Sequence, residues 1–183
     1  MDNELGMMNG ELRKRRALPH SKFSVQHSQF LVIGYGSTLH SDDAVGPRVA
    51  EAVAQWFLPN VTTVATTQLA PEHAELVSRA GEVVFVDAAI KPFKPHKPSR
   101  SFGLVRLGPA LDLNVPGLHV GDPRMLLALC KSVYGTCPRA WLLTVPGHNF
   151  DLGESLSPQA TRGMEQALEY IQSFVGKNAH RRT

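Results

Sequence analysis

The stretch FLVIGYGSTLHSDDAVGPRV, Phe30 to Val49, decides how this chain folds. Its first six residues, FLVIGY, form an apolar run typical of a strand buried on both faces of a parallel sheet. A glycine turn follows, and a helix is predicted to begin near Gly46–Pro47, because proline is tolerated in the first helical turn. Where a nucleotide-binding turn would hold a phosphate, this one carries two adjacent carboxylates, Asp42 and Asp43. Such a turn would repel a phosphate and attract a cation.

The rest of the chain continues to alternate strands with helices. Further strands are predicted at Val61–Leu69, Glu82–Ile90, Ser101–Gly108 and Arg139–Gly147. Further helices are predicted at Pro71–Gly81, Asp122–Gly135 and Ser157–Gly176. The buried stripes of the first and last helices are predicted to be Val49, Val53, Trp56 and Phe57, and Met164, Leu168, Ile171 and Val175. This alternation predicts a three-layer α/β fold, in which helices flank both faces of a mostly parallel, five-stranded twisted sheet.

Length and composition fit one globular domain. The chain has 183 residues, of which 43% are apolar and 19% are charged, as is ordinary for a folded protein. Residues 1–29 lack apolar periodicity and are predicted to be a disordered or loosely ordered leader. We therefore expect a single domain at 30–176 and a basic tail at 177–183. The proline-rich segment KPFKPHKPSR (Lys91–Arg100) predicts an extended surface loop.

Charge, hydropathy and cysteine content indicate where the protein acts and which partners are excluded. The formal net charge is +3, and the basic clusters at Glu11–Arg16 and His180–Thr183 are interpreted as solvated tails rather than nucleic-acid contacts. No stretch approaches the ~20 apolar residues that span a bilayer, and the leader lacks the apolar segment of a secretory signal. Cys130 and Cys137 are too few for a disulfide scaffold, and Cys130 is predicted to pack in the core. We expect a cytoplasmic protein with no membrane or nucleic-acid partner.

Polar residues that follow strands are the candidates for a functional site, because ligands of open α/β sheets bind beyond the carboxyl ends of the strands. Asp42 and Asp43 follow the first strand, Asp87 ends VVFVDA, and His119 lies in the loop NVPGLHVGDPR. Two carboxylates and one imidazole that meet in one crevice would form a transition-metal site with an open position.

Each candidate also has a purely structural interpretation. Asp42 or Asp43 would stabilise the first helix as a cap, Asp87 would bond neighbouring loop amides, and a lone histidine in a glycine-rich loop is usually structural. The convergence of all three on one sheet edge favours the metal site. A dinucleotide site is disfavoured because Leu39 stands where the third glycine of that fingerprint would be.

Several motifs give the chain a family resemblance. They are Gly34-Tyr-Gly, SDDAVG (Ser41–Gly46), Val86-Asp-Ala and His119 ahead of a helix. From about Phe30 to Val175 the sequence resembles the hydrogenase maturation endopeptidases, which trim the C-terminus of the large subunit of nickel–iron hydrogenases.

The chain departs from the pattern of that family at two places. The common asparagine after the glycine turn is Ser37, and TQLAPEHAEL (Thr67–Leu76) replaces a GGT motif. The replacement segment looks like the corresponding segment in the subgroup that serves bidirectional, NAD(P)-linked hydrogenases. The segments GDPRMLLALCKSVYG and FDLGESLSP (Phe150–Pro158) also look like that subgroup. Gln68 and Glu72 thereby become candidate substrate-binding residues.

The resemblance implies a function and a set of site residues. Asp43, Asp87 and His119 would be both the metal ligands and the catalytic residues, with Asp42 either supporting them from behind or capping the helix. The enzyme would be an aspartyl-type or metal-dependent endopeptidase that removes the C-terminal extension of a hydrogenase large-subunit precursor after nickel insertion. The nickel would belong to the substrate, zinc or cadmium would be able to occupy the site in vitro, and no organic cofactor would be needed. A monomer is expected.

Two other classes compete with this interpretation. A non-enzymatic nucleotide-binding or assembly module of similar fold would require phosphate affinity at the Gly34–Gly36 turn. A broad metallopeptidase would cleave unstructured peptides, but the chain lacks the His-Glu-x-x-His helix of the common zinc peptidases.

Overall fold

The computed structural model describes residues 30–89, 101–110 and 121–179. Within these ranges the strands are β1 (Phe30–Tyr35), β2 (Val61–Thr66), β3 (Glu82–Ala89), β4 (Gly103–Leu107) and β5 (Arg139–Pro146). The helices are α1 (Val45–Ala54), α2 (His73–Ser78), α3 (Pro123–Tyr134) and α4 (Pro158–Ala179), and a short 3-10 turn (Ser41–Ala44) leads into α1. The predicted leader, the loop Lys91–Arg100 and His119 lie outside the described residues.

The strands form one mostly parallel sheet in the order β2-β1-β3-β5-β4. The pairs β1–β2, β1–β3 and β3–β5 are parallel, whereas β4 pairs antiparallel with β5 at the edge. The predicted five-stranded, mostly parallel sheet is therefore confirmed. The carboxyl ends of β1, β2 and β3 meet at one edge, where residues that follow these strands can converge.

Helices cover both faces of the sheet, which confirms the three-layer prediction. Side chains of β1 alternate between two cores: Phe30 and Val32 pack with α1 and α4, and Leu31 and Ile33 pack with α2 and α3. This alternation follows from the two-residue period of a strand. Cys130 is fully buried in the α2–α3 core, as predicted.

Several boundaries agree with the sequence signals that predicted them. Asp122 caps α3 by accepting a hydrogen bond from the Arg124 backbone N–H, and Gly135 ends the helix in the left-handed conformation at φ 69°. Several elements differ from their predicted bounds, among them β4, which covers Gly103–Leu107 rather than Ser101–Gly108. β2 ends at Thr66, α2 covers only His73–Ser78, α1 begins at Val45, and α4 continues to Ala179, into the segment predicted as the tail. No helix of the described residues is long and apolar enough to cross a membrane.

The predicted stripe of α1 is wrong at Phe57. Val49 and Val53 are buried, and Trp56 packs partly against the same core, but the Phe57 side chain is 84% exposed. The reason is that α1 ends at Ala54 and Phe57 adopts φ 50°, so helical spacing no longer determines where its side chain points.

Candidate functional site

A close backbone contact between two glycines, Gly34 and Gly46, determines the geometry of the site. A Cβ built on Gly34 of β1 would lie 1.8 Å from the backbone oxygen of Gly46 in α1. One built on Gly46 would lie 2.4 Å from the oxygen of Tyr35 and 2.6 Å from that of Val86. Only glycine at both positions lets the start of α1 lie directly against β1 and β3. This close approach holds the preceding 3-10 turn, with Asp42 and Asp43, at the carboxyl ends of the two strands.

Asp43 is fixed by the glycine turn that precedes it. The backbone N–H of Ser37 donates to Asp43 Oδ2 at 2.6 Å. Gly36 adopts φ 138°, and a Cβ there would lie 2.1 Å from the Asp43 backbone oxygen, so this turn also requires glycine. The asparagine-to-serine departure leaves the bond intact, because it comes from the main chain. The turn thus holds a partly buried carboxylate in one orientation.

Asp87 lies on β3 and is electrostatically coupled to Asp43. Burial, with a smaller contribution from the negative charge of Asp43, raises the pKa of Asp87 to about 6, against hydrogen bonds from the Tyr35 hydroxyl and the Ala88 N–H, which lower it. Two nearby carboxylates repel each other, so a cation bound between them would be attracted by both charges and would relieve the repulsion. The structure thus places two of the three predicted ligands within electrostatic range of each other.

Asp42 has a different environment and does not cap α1. Neither the 3-10 turn nor α1 has a side-chain cap, so the capping interpretation is wrong. The Asp42 carboxylate is 0% exposed and accepts four hydrogen bonds from the connection between β5 and α4. Their donors are His148 N at 2.7 Å, Asn149 N at 2.9 Å, Ser157 N at 2.6 Å and Ser157 Oγ at 2.8 Å.

These bonds determine the charge state of Asp42. Burial by itself would raise its pKa, but the N–H groups of His148, Ser157 and Asn149 and the Ser157 hydroxyl outweigh burial and lower the pKa. Asp42 is therefore an ionised anchor that ties the 3-10 turn to a distant loop. It supports its neighbour Asp43 through the backbone.

The third predicted ligand cannot be compared with this geometry, because His119 lies outside the described residues. Within the described ranges no group of three or more histidine, cysteine or acidic side chains is arranged to hold a metal ion. The oxygen donors of Asp43 and Asp87 suit a divalent cation. A complete site needs a further donor, and the role of His119 stays a prediction.

The two candidate substrate-binding residues lie at the same edge of the sheet. Gln68 and Glu72 follow the carboxyl end of β2, and both are exposed. The main-chain oxygen of Gln68 accepts a hydrogen bond from Thr66 Oγ1 at 3.1 Å, so the Gln68 backbone is held while its side chain faces solvent. Glu72 precedes α2 without capping it by a side-chain bond. Their predicted roles stay predictions.

A cavity of about 510 Å³ opens beside Asp87. It is lined by Tyr35, Asp87, Leu107, Gly121, Asp122, Pro123, Arg124 and Leu142. Arg124 Nη2 lies 2.7 Å from Asp122 Oδ2, so this acidic wall is partly neutralised. Tyr35 was not among the residues predicted from the sequence, although a polar hydroxyl at the end of an apolar strand was a signal for it.

Several solved structures with the same fold are hydrogenase maturation proteases. Protease HycI of Thermococcus kodakarensis KOD1 matches at 19% identity and a TM-score of 0.63 over 81% of this chain and 93% of that one. Endopeptidase HybD of E. coli matches at 22% and 0.62 over 82% and 93%. The hydrogenase 2 maturation peptidase of a Thaumarchaeota archaeon matches at 20% and 0.57 over 81% and 98%. No protein-family model and no curated protein sequence matches the chain. The chain therefore has the fold of these proteases.

Proposed function

We propose that this protein is a hydrogenase maturation endopeptidase. It removes the C-terminal extension of a nickel–iron hydrogenase large-subunit precursor after nickel has been inserted. The observation that carries this proposal is the coupled pair Asp43 and Asp87 at the carboxyl ends of β1 and β3, within a fold shared with solved hydrogenase maturation proteases. Neither the fold nor the carboxylate pair alone would be specific, since one fold supports many functions.

In this proposal the nickel ion arrives as part of the substrate. Asp43, Asp87 and His119 recognise it, and the repulsion between the two carboxylates is relieved when the ion binds. The residues behind them keep the site in shape: Asp42 anchors the 3-10 turn, and the Ser37 N–H orients Asp43. A precursor without nickel lacks the ion that these side chains recognise, so cleavage depends on metal insertion.

We further propose the source of the precursor, the residues that contact it and the state in which the enzyme acts. The precursor comes from a bidirectional, NAD(P)-linked hydrogenase, and the exposed Gln68 and Glu72 contact it. The enzyme acts as a cytoplasmic monomer without an organic cofactor, and zinc or cadmium can replace nickel in vitro.

The glycine turn weighs against a nucleotide-binding module. Gly34 is in contact with Gly46, and Gly36 with the Asp43 backbone, so the glycines serve the approach of helix and strands. The carboxylates beside them disfavour a phosphate. Titration with nucleotides should therefore give no binding.

The decisive experiment mixes the protein with nickel-loaded and nickel-free large-subunit precursors and follows the size of the precursor. We expect cleavage of the loaded form alone. Asp43→Asn, Asp87→Asn and His119→Ala should each abolish it, whereas Asp151→Asn, at an exposed carboxylate, should cleave normally. Normal cleavage by the three site variants would contradict their roles, and equal cleavage of both precursors would contradict nickel dependence.

A further inference from the structure

Tyr35 and Asp87 are neighbours because of the register between β1 and β3. The last paired residues of these strands are Gly34 and Val86, so Tyr35 and Asp87 come next, side by side on adjacent parallel strands. Side chains alternate along a strand. Asp87 therefore points to the same face of the sheet as Phe85, which belongs to the core under α2 and α3.

The environment of Tyr35 fixes its ring and leaves its hydroxyl at the cavity. The ring packs against the core that contains Ile33 and Phe85, and Tyr35 lines the cavity beside Asp87. The hydroxyl donates a hydrogen bond to the Asp87 carboxylate. Asp122 adds a second negative charge near the phenol, which favours the neutral donor over a phenolate.

We infer that Tyr35 is a positioning residue of the candidate site, which orients the Asp87 carboxylate toward the metal ion that Asp87 shares with Asp43. The inference rests on the proposed function. An aspartate carboxylate turns about two side-chain bonds and needs partners to hold one orientation, and here these are the Tyr35 hydroxyl and the Ala88 N–H. Partners of this kind behind a metal ligand typically change metal affinity about 10–100-fold when they are removed. Tyr35 itself touches no metal ion.

The test compares Tyr35→Phe with the unaltered full-length protein, using zinc as the probe. The substitution removes only the hydroxyl, and we expect zinc to bind about 10–100-fold more weakly. The matched control is Tyr134→Phe, because Tyr134 is exposed at the end of α3, and its zinc affinity should not change. Thermal unfolding in the presence of a chelator serves as the second readout. A merely structural role would lower the unfolding temperature of Tyr35→Phe and leave its zinc affinity unchanged.

A measurement on the protein with Tyr35 present covers the case in which Tyr35→Phe does not fold. The chain has 3 tyrosines, so labelling with 3-fluorotyrosine gives three fluorine resonances. Two of them are assigned from Tyr134→Phe and Tyr170→Phe. Zinc should shift the third, and a zinc titration that moves none of the three would overturn the inference.

The outcomes for Tyr35 and for the proposed function are separable. If Tyr35→Phe binds zinc within about twofold of the unaltered protein, the inference is wrong, even when the nickel-loaded precursor is cleaved. If Tyr35→Phe weakens zinc binding and the unaltered protein cleaves no precursor, the positioning role stands and the proposed function is wrong.

Discussion

Replacing Asp87 by asparagine should stabilise the folded protein near neutral pH. Burial raises the pKa of this carboxyl from 3.8 to about 6, and Asp43 contributes in the same direction. Each pKa unit corresponds to about 1.4 kcal/mol, so the ionised side chain costs the folded state about 3 kcal/mol. Asparagine carries no charge, and its amide oxygen can still accept the hydrogen bond from Tyr35. The free energy of unfolding should rise by about 2–3 kcal/mol.

The stabilisation should depend on pH in a defined direction. Below pH 3.8 the carboxyl is protonated in both the folded and the unfolded chain, so the charge costs nothing. As the pH rises toward about 6, the unfolded chain loses its proton first and the unaltered protein loses stability relative to Asp87→Asn. Above that pH the difference is complete and constant.

Urea denaturation between pH 4 and pH 8, in the presence of a chelator, measures this difference. Asp151→Asn is the control, because it makes the same substitution at an exposed carboxylate and should leave the free energy of unfolding nearly unchanged. The reasoning is refuted if Asp87→Asn is less stable than the unaltered protein at pH 7.5, or if the difference between them does not change with pH. Combined with loss of cleavage, the expected result would mean that the folded protein gives up stability to keep a carboxylate at this position.

Four further variants test the construction of the site and the core. Asp42→Asn should lower the free energy of unfolding by about 3 kcal/mol or more, because it leaves buried N–H donors without a charged acceptor. Since hydrogen bonds lower the pKa of Asp42 in the folded protein, this loss should shrink as the pH falls toward that lowered pKa. Urea denaturation at several pH values measures it. Gly46→Ala should lower the free energy of unfolding by about 3 kcal/mol or more, since its Cβ would overlap the backbone of β1 and β3. The Cβ of Gly176→Ala in α4 meets no atom within 4 Å, so this variant should gain about 0.5–1 kcal/mol of stability. Calorimetry that ranks the two variants in the opposite order would contradict the close approach of α1 to the sheet. Leu127→Ala should cost about 2–5 kcal/mol by urea denaturation, because this side chain is fully buried between α2, α3 and the sheet, and a loss under about 1 kcal/mol would argue against that packing.

Signals that are local in the sequence predicted most of the fold. The apolar runs of β1 and β3, the Asp122–Pro123 start of α3 and Gly135 at its end each act over a few residues, and the structure agrees with them. The lengths of the helices were less predictable, as the wrong prediction for Phe57 shows, because the point at which a helix ends depends on how the following loop packs. That Asp43 and Asp87 lie near the same edge of the sheet was predictable too, since parallel strands bring their carboxyl ends to one edge, whereas their role as metal ligands stays a prediction.

What the sequence by itself determined is therefore the layered α/β architecture and the edge of the sheet at which acidic residues gather. Only the tertiary structure decided what each carboxylate does there. Asp42 and Asp43 are adjacent in sequence, yet the first is buried under donors more than a hundred positions away, at Asn149 and Ser157, and the second lies within electrostatic range of Asp87. The register of β3 against β1 likewise put the Tyr35 hydroxyl on Asp87. Hydrogen bonds and charges act through space, and two residues that are equivalent by sequence position acquire opposite environments once the chain has folded.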